Sequence, residues 1–94
     1  MKTSTTYIYA IEVRITKHSR TRPNGKVETF SDCTEEFRVA TNDYPFEGDI
    51  VNEAVERYRQ FRIDLAMEGG NSTEVKMEMK WTSVIHKIQA DIFV

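Results

Sequence analysis

Within ten residues the chain gathers Lys17, His18, Arg20, Arg22 and Lys26 around Pro23, which sits at the apex of an Arg22-Pro23-Asn24-Gly25-Lys26 run. Cationic side chains at this spacing on a two-stranded ribbon can follow a phosphate backbone, and a proline at the tip can wedge between base steps. The same charges also serve simply to keep a hairpin end solvated. A second set is acidic: Glu53, Glu56, Asp64 and Glu68 fall beside Ile63 and Met67, which helical spacing places away from the apolar stripe. Such a flank can meet a basic protein surface or imitate phosphates, and an exposed apolar pair can seed a partner or dimer contact.

Other chemistries find little support. His18 and His86 follow no metal-ligand spacing, and Cys33 is the only cysteine, which excludes an internal disulfide and a cysteine-rich zinc site. A lone cysteine in a small domain acts as a small hydrophobe. The chain holds no phosphate-cradling glycine loop, no Gly-x-Ser-x-Gly elbow and no isolated carboxylate pair. The expectation is a protein that is not an enzyme and needs no cofactor or metal.

Composition narrows the class further. At 94 residues, 39% apolar and 30% charged, the chain has room for one domain, and a domain this short hides only roughly 60–65% of its unfolded surface. No apolar run approaches the roughly 20 residues of a membrane span, and the polar start lacks the pattern of a secretory leader. The reading is a cytoplasmic protein without membrane contact. The net charge of −2 conceals an asymmetry. Residues 1–31 carry six bases against two acids, residues 32–69 ten acids against four bases, and residues 70–94 three of each.

The elements that would position these residues follow from periodicity. Tyr7, Tyr9, Ile11, Val13 and Ile15 alternate with polar neighbours, the two-residue period of a half-buried strand. Pro23, Asn24 and Gly25 supply the chemistry of a three-residue hairpin loop ending in a glycine bulge. With Arg22 opposite Lys26, Ile15 faces Cys33, Ile11 faces Phe37 and Tyr9 faces Val39, which makes Cys33 core-side. Ile50, Val51, Ala54, Val55, Tyr58, Phe61 and Leu65 recur at helical spacing, with Asp49 as the cap and Gly69-Gly70 as the stop. A further strand carries Val75, Met77, Met79 and Trp81 inward. Its apolar phase then jumps to Val84, Ile88, Ala90, Ile92 and Val94, with His86 in that phase. A fourth strand after a Thr82-Ser83 turn, a bulged continuation of the third strand, or a short helix would each explain the jump. The fold class is α+β: a two-layer single domain over residues 1–94, a β-hairpin, one helix, then one or two antiparallel strands.

The Arg22-Pro23-Asn24-Gly25-Lys26 neighbourhood resembles the arms of bacterial histone-like architectural proteins, which implies groove binding by the hairpin tip. In layout the whole chain resembles small phage-encoded inhibitors, including several anti-CRISPR proteins, although no motif residue carries over. That resemblance implies a phage or mobile-element accessory factor that inhibits a larger host protein complex by surface binding. A nucleic-acid-binding module using the hairpin is the alternative, and a structural homo-oligomer or homodimer comes third.

Overall fold

The computed structural model describes the backbone of residues 3–93 and the side chains of residues 5–85. Its elements are β1 (Thr3–Thr21), β2 (Val27–Thr29), β3 (Cys33–Thr41), α1 (Asp49–Met67) and β4 (Glu74–Phe93). β1 is the central strand, antiparallel to all the others. β2 and β3 share one of its edges and β4 runs along the other, so the small α+β domain is one antiparallel sheet with one helix on its face.

The hairpin closes as its residues dictate. Gly25 N donates to Arg22 O and Arg22 N to Lys26 O, both at 2.8 Å, while Lys26 N donates to Asn24 Oδ1 at 2.9 Å. Gly25 has φ +85, which a side chain would resist. The three-residue loop sets the register Ile15↔Cys33, Ile11↔Phe37 and Tyr9↔Val39. The burial expected of Cys33 does not follow, because it is exposed. α1 leans toward β4 and leaves the start of β3 uncovered.

Tyr9, Ile11, Val13 and Ile15 from β1, Val75 and Met77 from β4, Val51 and Val55 from α1, and Phe46 from the preceding loop form the buried core. Asp49 does not cap the helix; the N-cap is Gly48, which makes no side-chain bond, and Asp49 is the first helical residue. There its charge still favours the positive end of the helix dipole. Apart from Ile50 in its first turn, the apolar stripe is right for the first half of α1 and wrong for the second. Phe61 and Leu65 are 57% and 53% exposed and Ile50 is 38% exposed, whereas Ile63, Ala66 and Met67 pack against the core. A straight helix on a twisted, bent sheet presents a different face to it at each end, and Arg59 Nε donating to β4's Met77 O at 2.8 Å fixes that roll.

Three bulges bend the sheet. Val13 pairs with Trp81 but Glu12 with Ser83 and Ile11 with Val84, so Thr82 is the extra residue and the apolar phase moves from odd to even. Residues 82–93 are thus the bulged continuation of one long strand. A second bulge, at Lys87, pairs Ile88, Ala90 and Ile92 with Ile8, Thr6 and Ser4, the phase opposite to Val84's. The burial expected of His86, Ile88, Ala90, Ile92 and Val94 lies outside the described side chains. The third bulge is in β1, between Thr16↔Glu78 and Ser19↔Lys76, and at its centre Lys17 adopts φ 51.

Candidate functional site

The bulge at Lys17 decides where the basic residues go. Along β1 the even positions Glu12, Arg14 and Thr16 belong to the face away from α1, and unbroken alternation would put His18 and Arg20 there too. The extra residue reverses the phase. Arg20 pairs with Val75, a core residue, and His18 is buried at 9% exposure. His18, Arg20 and Arg22 therefore line an open groove of about 500 Å³ together with Arg62, Leu65, Ala66, Glu68, Asn71 and Met77.

Each cation in this groove is held differently. Arg22 Nε donates to Glu28 Oε1 at 2.6 Å and its Nη1 to Asn71 O at 3.4 Å. The bonded Glu28 raises the Arg22 pKa, and the same bond holds the Glu28 carboxyl below its ordinary value. Arg62 donates to Glu35, which also accepts from the Tyr58 hydroxyl. Burial works to raise the Glu35 pKa, but the bonds from Tyr58 and Arg62 and the guanidinium charge outweigh it and hold the carboxyl low. Burial, and then Glu35, raise the Tyr58 pKa. Arg20 differs: its Cζ lies 5.4 Å from the centroid of Phe30, over the ring, and among the described residues no carboxylate lies within ion-pair distance of it, Glu28 opposite it on β2 being bonded to Arg22.

Three buried polar atoms among the described side chains lack a hydrogen-bond partner: Arg20 Nε, His18 Nε2 and Ser72 Oγ. The first two belong to groove residues, and Ser72 follows groove residue Asn71. A buried unpaired polar group costs about 1–3 kcal/mol, so their concentration beside one groove marks it out. The His18 ring packs against Phe30 at 4.6 Å between centroids. Burial, then the charges of Arg20 and Arg62, hold its pKa below the ordinary value against an opposing pull from Glu35.

The remaining candidates do not join this site. Lys17 pairs with Glu78 at 3.1 Å and lines a separate depression with Arg59. Pro23 and Lys26 stay exposed at the turn. On the helix, Glu53 pairs with Arg57 at 2.5 Å, Glu56 with Arg59 at 2.8 Å, and Asp64 accepts from Gln60 at 2.9 Å. Glu68 reaches the groove rim. Ile63 and Met67, expected on the outer side, pack against the core instead; the exposed apolar pair is Phe61 with Leu65. The sequence gives no sign of Arg62, Leu65 and Met77 as site residues, because only the bulge and the roll of the helix bring them to His18 and Arg20, whereas Phe30 stands opposite His18 in the hairpin register itself.

Among the described residues no cluster of His, Cys, Asp and Glu could hold a metal ion, and no helix is long and apolar enough to cross a membrane. No protein-family model matches the chain, and comparison with curated proteins and with solved structures returns no significant match.

Proposed function

We propose that the chain is a non-enzymatic interaction protein that occupies a surface of a larger protein complex and inhibits it, with the C-terminal half of α1 and the adjoining groove as its contact face. The observation that carries this reading is the pair Phe61 and Leu65. They lie four residues apart on one helix side, each more than half exposed, beside a groove lined by three arginines. Aromatic and arginine side chains dominate the energetics of protein contacts, and a large apolar pair left in water favours a covering partner. The nucleic-acid reading has less in its favour: of its six residues, three turn into the groove, Lys17 is ion-paired, and Pro23 and Lys26 remain at the tip. The net charge of −2 also opposes binding to a polyanion.

The test is co-purification from extracts of cells that naturally carry the protein. Wild type is compared with a Phe61→Asp/Leu65→Asp double variant and with a control, Glu36→Lys/Arg38→Glu, on the exposed opposite face of the sheet. A stoichiometric complex that survives the control and is lost in the double variant supports the reading. A complex lost only in the sheet-face variant, or none from wild type, refutes it.

A further inference from the structure

We infer that the groove between β1 and the end of α1 receives a carboxylate side chain borne on an apolar peptide segment of the partner, with Arg20 as its clamp. This deepens the reading above and rests on it.

Arg22 and Arg62 hold the carboxylates of Glu28 and Glu35, whereas Arg20 has no carboxylate within ion-pair distance among the described residues; Glu28, opposite it on β2, is bonded to Arg22 and meets the Arg20 charge only at longer range. A guanidinium offers five donors in a rigid fork suited to two carboxylate oxygens, and such charge-assisted bonds are the strong ones. Phe30 beneath Arg20 restricts the side chain before any ligand arrives, which lowers the ordering cost of binding. His18 stands beside it, nine-tenths buried, with Nε2 unpartnered, and buried Ser72 follows the groove residue Asn71.

The choice of a peptide acid over a nucleic-acid phosphate comes from the other walls. Leu65, Ala66 and Met77 line the same groove, with Phe61 one helical turn before Leu65. These surfaces suit apolar side chains flanking an acid and offer nothing to a sugar-phosphate chain. Glu68, which also lines the groove, limits the charge the site tolerates: with Glu28 and Glu35 held by Arg22 and Arg62, Arg20 is left to meet a single carboxylate, while a run of phosphates meets repulsion.

The experiment is a nitrogen-15 NMR titration of the full chain that includes the arginine Nε–H signals. Four probes are used: a capped tetrapeptide alternating leucine and glutamate, its glutamine counterpart, inorganic phosphate and a short single-stranded oligonucleotide. The expected result is saturable shifts at Arg20 Nε–H and at the Asn71 and Ser72 amides with the glutamate peptide. Loss of one charge-assisted contact predicts binding roughly tenfold weaker for the glutamine peptide and for Arg20→Gln. Arg20→Lys should recover part of the affinity, and Glu68→Gln should tighten binding. Retained dispersion of the spectrum shows that the variants fold.

Equal binding of the two peptides, no shift at millimolar peptide, or preference for phosphate or oligonucleotide overturns the inference. Its failure is separable from failure of the parent reading. If the natural complex is lost in Phe61→Asp/Leu65→Asp but intact in Arg20→Gln, the contact face stands and the carboxylate site falls.

Discussion

The link between Glu35 on β3 and Arg62 on α1 should be worth a measurable share of the fold's stability, and a double-mutant cycle isolates it. Glu35 occupies an inward position on an edge strand that α1 leaves half covered, and it accepts from both Arg62 and the Tyr58 hydroxyl. Both side chains of the pair are 27% exposed, so water screens them less than a surface pair. A hydrogen bond to a charged group contributes about 1.5–3 kcal/mol where well formed. Desolvation of two ions offsets part of this, which leaves a coupling of about 1–2 kcal/mol between Glu35→Gln and Arg62→Met. For a domain of this size each kcal/mol corresponds to roughly 4–8 °C in Tm. Urea unfolding followed by far-ultraviolet circular dichroism reads the four corners of the cycle, with an unchanged m-value as the check on two-state behaviour. Because the folded-state pKa of Glu35 is depressed, its contribution is full above the unfolded carboxylate value, near about 4.3, and declines as pH falls through the folded value. The exposed Arg57–Glu53 pair serves as the comparison, with a coupling of about 0.3–0.5 kcal/mol. A Glu35–Arg62 coupling no larger than that of the exposed pair, or one that does not shrink in acid, would show that the link does not stabilise the fold in this way.

His18 gives a second pH signature. Its folded pKa lies below the unfolded value of about 6.5, so wild type loses stability as pH falls from there through the folded value, and His18→Leu lacks that slope in the same unfolding assay. Lys17→Gly should stabilise the protein by up to about 1 kcal/mol, since it relieves φ 51 and gives up only an exposed ion pair; a loss in Tm would count against that balance. Ile11→Ala, at a fully buried site, should cost about 2–5 kcal/mol, while Leu65→Ala, half exposed, should stay within about 0.5 kcal/mol by chemical denaturation. Comparable losses at the two positions would contradict the assigned core.

Much of the fold was legible because local chemistry and long-range packing agreed. Pro23, Asn24 and Gly25 specify one loop length, and that length fixes every pair from Thr21↔Val27 to Tyr7↔Thr41. The phase jump after Trp81 announced an irregularity, although only the pairing with β1 shows it to be a bulge at Thr82. The bulge at Lys17 left no comparable trace. Thr16, His18, Arg20 and Arg22 are all polar or charged, so reversing their phase leaves the alternation looking unbroken. That concealed both the burial of His18 and the meeting of Arg20 with Arg62. Phe61 and Leu65 misled for a different reason: helical periodicity shows which residues share a side, not how far a sheet extends beneath the helix. Cys33 is the same lesson at a strand end.

If the chain works through the face where the end of α1 meets the hairpin stem, site-specific photo-crosslinking in cells that naturally carry the protein will capture its partner there. A photoreactive residue is placed either at Leu65, beside the groove, or at Glu36, on the exposed opposite face of the sheet. One discrete adduct is expected from position 65, diminished by Arg20→Gln, and none from position 36. A discrete adduct from position 36 with none from position 65 would contradict this.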